Sequence, residues 1–376
     1  MLRDIRERVS RMPEEKTKQS RVKIRGRKKK SAKEAGKHPS EPVNPNATRA
    51  MLVVNPVAGT GEVVKIWDEA QKTLRDLGLD FDYEFTERPE HAIEIAREAA
   101  VKGYGTVVAV GGDGTVFEVT NGLMAVDRAS RPVLGIIPTG RGSDFCRTVE
   151  VPQDWLTACS WLVSGKKRTI DVGWMEYRAP DGVRTGYFAN IAGLGFDGEV
   201  TERANNMPEG LAKAVGGIGT YLLSLVMTYA SYKEKDVELH VDDEIYRVLA
   251  TTCVIANCRF FGGKMCIAPD SVCDDGLFDI VILGAGYGKP TVDEPIGAML
   301  PHHSILEKVA AKARMTLNVP RVYKGTHVND DSVMVLRGRK VKVICEDRMV
   351  LQADGEVIGE GPFTAEVIEG ALDIIA

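Results

Sequence analysis

The chain reads as an α/β domain with a mostly parallel, doubly wound sheet, followed by a mainly antiparallel β-sandwich domain. Three observations predict this. Between residues 50 and 140 short apolar strands alternate with helix-length amphipathic segments, the order that a parallel sheet with helices on both faces produces. Beyond about residue 175, strand-length segments follow one another, punctuated by Asp-Asp, Asp-Gly and glycine turns, as in antiparallel hairpins. A length of 376 residues, 44% hydrophobic and 27% charged, is enough for two packed domains.

Taken in order, residues 51–55 are a short buried strand and Asn55-Pro56-Val57-Ala58-Gly59-Thr60-Gly61 a turn. Val63, Ile66, Trp67, Ala70, Leu74 and Leu77 lie three or four apart, which predicts a helix that Gly78 ends. Phe81, Tyr83 and Phe85 alternate as in a strand, and residues 90–102, with Ile93, Ala96 and Ala100 on one face, predict a helix stopped by Gly103. Strand 106–110 runs into Gly111-Gly112-Asp113-Gly114-Thr115. Val116, Val119, Leu123 and Met124 mark the next helix, and residues 133–137 a fourth strand. Ligands of such a sheet sit at its C-terminal strand ends, so the loops 55–61, 111–115 and 138–144 are expected on one edge.

In the second half, residues 168–177, 185–192, 237–241, 245–257, 277–283, 333–336, 340–345 and 348–353 are strand-like, and about 208–232 reads as a helix. The expected divisions are a basic arm over 1–49, a nucleotide-binding domain over 50–175 and a sandwich domain over 176–376, with a return of the last strands toward the first domain left open.

The net charge of −4 conceals an asymmetry: residues 1–50 hold 16 Lys+Arg against 6 Asp+Glu, and the remainder 33 against 47. An arm of this composition without apolar periodicity reads as disordered and solvated. Contact with an anionic bilayer, at about 1 kcal/mol per basic residue near the surface, is its second reading. The acidic body would repel phosphate backbones, so no nucleic-acid partner is expected. Seven scattered cysteines, Cys146, Cys159, Cys253, Cys258, Cys266, Cys273 and Cys345, form no C-x-x-C pair and read as reduced thiols of a cytoplasmic protein. The longest apolar segment, 218–230, is interrupted by Gly219, Thr220, Ser224 and Thr228 and is too short for a bilayer. No N-terminal apolar signal stretch is seen, so the expected location is cytoplasmic, at most peripheral at the inner face of the membrane.

The glycine loop carries the chemistry. Three glycines let the backbone approach an anion, unpaired N–H groups point at it, and a helix N-terminus follows. A carboxylate among such amides would repel phosphate unless a cation lay between them, so Asp113 points to Mg²⁺ and a nucleoside triphosphate. The loop is neither a Walker A motif, because no Lys-Ser or Lys-Thr follows, nor G-x-G-x-x-G. Other segments are ambiguous taken singly. Asp275-Gly276 and Asp354-Gly355 suit ordinary hairpin turns, Asn55-Pro56 is a common turn, Asp171 suits the surface of a strand, and the stripe over 220–232 suits a core.

Their order is more specific. Gly111-Gly112-Asp113-Gly114-Thr115 resembles the signature shared by diacylglycerol kinases, sphingosine kinases, NAD kinases and, more loosely, phosphofructokinases. Asn55-Pro56-Val57-Ala58-Gly59 is similar to the Asn-Pro-x-(small)-Gly opening of the diacylglycerol kinase catalytic domain. Pro138-Thr139-Gly140-Arg141-Gly142-Ser143-Asp144-Phe145-Cys146-Arg147 resembles its Pro-x-Gly-Thr-x-Asn-Asp-Phe-Ala-Arg segment. Pro269 through Asp275-Gly276-Leu277-Phe278-Asp279 resembles its second-domain Asp-Gly stretch, and Asp354-Gly355-Glu356 its late Asp-Gly-Glu. The ordered set, from about residue 50 onward, is similar to the soluble bacterial diacylglycerol/lipid kinases.

That resemblance implies ATP-dependent phosphorylation of diacylglycerol or a related membrane lipid, with Mg²⁺, giving phosphatidic acid or an analogous phospholipid. It places Asn55, Pro56, Val57, Ala58, Gly59, Thr86, Gly111, Gly112, Asp113, Gly114, Thr115, Glu118 and Arg141 at the nucleotide. It implies an acidic Mg²⁺–water network of Asp113, Asp144 and Asp171, and Glu356 as general base. Asp275, with the carbonyls of Val272 and Leu277, matches a structural Mg²⁺ site of such kinases. Arg141, Ser143 and Phe117 depart from the family's usual Thr, Asn and Asn. A homodimer is left open. The alternatives are an NAD kinase and a non-catalytic lipid- or nucleotide-binding regulator.

Overall fold

A computed structural model describes residues 49–140, 142–287 and 320–376; the basic arm up to residue 48 and Arg141 lie outside the described residues. The first half runs β1 (Ala50–Val54), α1 (Ala58–Asp76), β2 (Phe81–Phe85), α2 (His91–Lys102), β3 (Thr106–Gly111), α3 (Asp113–Met124) and β4 (Val133–Pro138). β1 pairs parallel with β2 and β3, and β3 pairs parallel with β4. β1, β3 and β4 are apolar on both faces because both faces are covered, whereas β2, at the sheet edge, alternates apolar and acidic residues. Met51, Val53, Val107 and Ala109 pack with α2 and α3, while Leu52, Val54, Val108 and Val110 pack with α1 and with α5 (Trp155–Ser164). α1 ends where Gly78 takes φ +84°: its N–H donates to Arg75 O and that of Leu79 to Leu74 O, satisfying carbonyls the helix leaves open. Gly103 ends α2 in the same way.

After the short α4 (Asp144–Thr148) and α5 come β5 (Lys167–Ala179), β6 (Gly182–Phe188), β7 (Ile191–Gly195), α6 (Phe196–Asn205) and α7 (Glu209–Ser231). β8 (Lys235–Val241), β9 (Glu244–Ala256), the small pair β10 (Phe260–Phe261) and β11 (Met265–Cys266), and β12 (Phe278–Tyr287) follow. β13 (Val333–Gly338), β14 (Lys340–Cys345), β15 (Val350–Ala353) and β16 (Glu356–Ile375) complete the described elements. Pairing here is antiparallel, and it closes on itself: β9 joins β7, β7 joins β15, β15 joins β16, β16 joins β14, β14 joins β8, and β8 returns to β9. Leu194, Val237, Leu239, Cys253, Val341, Val343, Leu351 and Phe363 fill the enclosed core.

β16 ties the halves together. It runs antiparallel to β5 and, at Ile374 opposite Leu134, parallel to β4, so one sheet is continuous from β13 to β2. At this junction burial raises the Asp373 pKa, but hydrogen bonds from Arg128, Thr169 and Lys167 outweigh it and hold the carboxyl below the usual range.

Some elements differ from expectation. The strand expected over 185–192 is two, β6 and β7, because the amides of Ala189, Asn190 and Ile191 turn away to bind one carboxylate, Asp354. α4, α5, α6 and β16 have no counterpart in the sequence reading. α7 is kinked where Gly216 adopts φ 73°, ψ 170°. No described helix is long and apolar enough to cross a membrane. All seven cysteines are free.

Candidate active site

The loops after β1, β3 and β4 meet at one sheet edge. Asn55 links the first two: its Nδ2 donates to Thr115 Oγ1 at 3.1 Å, and its Oδ1 accepts the Val57 N–H at 3.1 Å. The third loop lies against the others so closely that a Cβ at Gly140 would sit 2.8 Å from Gly112 Cα, and one at Gly59, where φ is +61°, would collide with the Thr139 carbonyl. Side chains are excluded there, which gives an anion room to approach the backbone at the first turn of α3.

Asp113 is the first residue of α3. Its Oδ2 accepts the Asp144 N–H at 3.4 Å. Burial, and then the neighbouring Asp144 carboxylate, push its pKa up to about 6. A Cβ at Gly142 would lie 3.0 Å from Asp113 Oδ2 and 3.8 Å from Asp144 Oδ2, so the two oxygens border the same small space. Asp144, 4% exposed, is held from the other domain: Oδ2 accepts the Gly263 N–H at 2.7 Å and Oδ1 the Lys264 N–H at 2.8 Å.

The opposite wall is the turn between β15 and β16. Asp354, at φ 49°, accepts three amides: Ala189 N on Oδ2 at 2.9 Å, with Asn190 N at 3.0 Å and Ile191 N at 2.9 Å on Oδ1. Burial nevertheless pushes its pKa up to about 7. Two residues on, Glu356 reaches to the first turn of α3, where a Cβ on Gly114 would collide with its Oε1. Among the described residues Glu356 accepts no hydrogen bond. Burial raises its pKa, and the charges of Glu118 and Asp113 add to this.

Between the walls is a cleft of about 600 Å³. Asp113, Gly114, Gly142 and Asp144 line it from the first half; Asp197, Gly263, Lys264, Gln352, Asp354 and Glu356 are among the residues lining it from the second. Five carboxyl groups thus face Lys264, the one cation among the described lining residues. Among the described residues no three His, Cys, Asp or Glu side chains gather as a metal cluster.

Several expected site residues lie elsewhere. Glu118 caps α2, its Oε1 accepting the Glu90 N–H at 3.0 Å and its Oε2 the Ala92 N–H at 3.1 Å, so both oxygens are withdrawn from a nucleotide. Asp171, 3% exposed, does not line the cleft; its Oδ2 accepts the Gly276 N–H and its Oδ1 the Gly370 N–H, both at 2.7 Å, pinning two turns. Asp275 is ion-paired to Arg337, which also reaches Asp279 at 3.2 Å. The side chain of Asp275 accepts the Leu277 N–H at 3.1 Å, and Val272 is surface-exposed. Thr86 follows β2, its N–H on the Val54 carbonyl, and does not line the cleft. Pro56, Val57 and Ala58 follow Asn55 without lining the cleft, and Val57 is exposed.

Asp197, Gln352, Asn190 and the 262–264 turn line the cleft without having been singled out. A signal existed for Asp197. Gly195-Phe196-Asp197-Gly198 carries β7 directly into α6, the same strand, glycine, carboxylate and helix sequence as the loop at Asp113.

A glycine-loop α/β half and a closed antiparallel half, meeting at a carboxylate-lined cleft, define a two-domain kinase. Residues 49–175 match the model of the diacylglycerol kinase catalytic domain, and residues 190–291 with 304–376 that of the YegS C-terminal NAD kinase beta sandwich-like domain. The chain belongs to the diacylglycerol kinase family. It is 30% identical over 315 residues to the diacylglycerol kinase of Bacillus subtilis (strain 168), covering 84% of this chain and 91% of that one. It is 26% identical over 326 residues to that of Staphylococcus epidermidis (strain ATCC 12228 / FDA PCI 1200), covering 87% and 91%. A solved structure from Bacillus anthracis str. Sterne, provisionally given as a diacylglycerol kinase, superimposes with a TM-score of 0.65 at 25% identity, covering 87% of this chain and 95% of that one.

Proposed function

We propose that this kinase transfers the γ-phosphate of ATP to a hydroxyl of diacylglycerol or a closely related lipid. One observation carries the reading: Asp113 and Glu356, from opposite halves, line one cleft, and Glu356 Oε1 lies against Gly114, the residue that follows Asp113. The first turn of α3, beside the edge formed with 55–59 and 138–140, receives the phosphates. Asp113 and Asp144 fit Mg²⁺: both offer hard carboxylate oxygens to one small, buried space beside the glycine loop. When bound, Mg²⁺ would neutralise phosphate charge.

Glu356 accepts the proton of the lipid hydroxyl at its free carboxylate, and the raised pKa makes it the stronger base. The lipid oxygen bonds to phosphorus as the bond to ADP breaks. Alignment and charge neutralisation do most of the work in such transfers. The basic arm would hold the enzyme at an anionic membrane surface; deleting residues 1–45 should weaken vesicle binding, and unchanged binding would contradict this.

Incubation with γ-labelled ATP and Mg²⁺, against diacylglycerol and NAD in parallel, tests the function. Label in the lipid is expected. Label in NAD alone would replace the reading with an NAD kinase, and ATP binding without turnover on any lipid would replace it with a regulator.

A further inference from the structure

The turn that carries Glu356 is held from a second direction by a polar chain that the phosphoryl-transfer chemistry does not use. The Gly355 N–H donates to Gln352 Oε1 at 2.9 Å. Gln352 Nε2 donates to Asp197 Oδ2 at 3.1 Å, and Thr252 Oγ1 donates to Asp197 Oδ1. Gln352 and Asp197 are 3% and 8% exposed. Buried polar groups in a β core cost stability unless paired, so an all-paired chain of three side chains there needs a use.

The surroundings are shaped to it. Gln352 lies opposite Gly193 in the β15–β7 pairing, and a Cβ on Gly193 would sit 2.7 Å from Gln352 Nε2 and collide with Asp197. The register of β15 against β16 slips between Leu351 and Gln352, next to the turn. The amide of Gln352 has one workable orientation, carbonyl to Gly355 and NH₂ to Asp197; a flip loses both bonds. Asp197 is in the first turn of α6, whose Thr201, Ala204 and Asn205 line the cleft farther along.

We propose that Asp197 and Gln352 are positioning residues that fix the Gly355 turn and thereby aim Glu356, with α6 as the strut from the cleft's far end to the base. The inference rests on Glu356 being that base.

The test measures kcat and KM for Gln352→Ala in the parent and in a Glu356→Gln background. In the parent, kcat should fall about 100-fold, the loss that a misplacement near 1 Å produces, with KM for ATP unchanged. In the Glu356→Gln background the same substitution should cost nothing further, because the group it aims is gone. Gln352→Glu, which sets two carboxyl groups face to face, should be crippled, and Asp197→Asn added to it should restore kcat by letting the new amide donate to the new carboxylate. Equal fold-losses in both backgrounds, or full activity in Gln352→Ala, would overturn the inference. If Glu356→Gln alone keeps parental activity, the base assignment fails instead.

Discussion

Asp113 and Asp354 face the same cleft from opposite halves, and both carboxyls are pushed up, to about 6 and about 7. They are nonetheless held differently. Asp354 spends both oxygens on three backbone amides from the β6–β7 junction at 2.9 to 3.0 Å, whereas Asp113 faces the amides that open α4 more loosely, the Asp144 N–H reaching its Oδ2 at 3.4 Å. Glu356 goes further and accepts none among the described residues. A carboxylate saturated by the fold is a fastener; one left unsaturated in a cleft is available to a cation, a phosphate or a proton. By that measure Asp354, Asp171 and Glu118 belong to the frame and Asp113 and Glu356 to the reaction, while Asp144 belongs to both: two amides fix it, and its Oδ2 still borders the space beside Asp113.

The largest effect that would sharpen this contrast is expected for Asp113→Asn. Its lipid-kinase activity should fall by about 100-fold or more, as when a charge-stabilising group is removed from a transferring centre. Its thermal midpoint at pH 8 should rise by about 1–2 °C, the shift made by about 1 kcal/mol in a chain of this size. Melting curves and a labelled-ATP assay on one preparation check both, and a stable, active variant would break the contrast. Asp354→Asn should do the opposite. An NH₂ group facing backbone N–H donors leaves them unpaired and costs about 1–3 kcal/mol, measured by urea unfolding. Asp171→Ala should cost a similar about 1–3 kcal/mol, since it strands the Gly276 and Gly370 amides.

The pH dependence has a definite sign. A carboxyl whose pKa is raised by folding favours the folded state while protonated, fully below its unfolded pKa, and loses that contribution as pH rises through the folded value. For Asp113 and Asp354 the loss falls between about pH 4 and pH 7. Mg²⁺ binds the ionised form, so it should raise the thermal midpoint more at pH 8 than at pH 5; an equal shift at both would remove Asp113 from the cation site. The smallest effect is expected for Glu118→Gln, a loss of about 1 kcal/mol through weaker capping of α2, with KM for ATP unchanged. A large rise in that KM would return Glu118 to the nucleotide.

The parallel half was legible in the sequence because its signals are local. Strands, helix periods and stopping glycines lie within a dozen residues of one another, and the glycine loop names its own geometry. The second wall is non-local: the amides that hold Asp354 come from 163 to 165 positions away. β16 escaped notice because Gly359, Gly361, Pro362 and Gly370 interrupt its apolar pattern. Asp171, inside β5, and Asp113, at the start of α3, are the same letter in apolar surroundings. Their settings in the fold separate fastener from reactant: Asp171 takes two amides at 2.7 Å away from the cleft, and Asp113 lines the cleft with the Asp144 N–H at 3.4 Å.

The most direct test is to titrate Mg·ATP into Glu356→Gln and to measure its lipid phosphorylation in the same buffer. If the base and the nucleotide site are separate groups on opposite walls, binding stays at the parental Kd while turnover falls by about 100- to 10,000-fold, the usual worth of a general base. Parental turnover, or loss of Mg·ATP binding together with turnover, would contradict it.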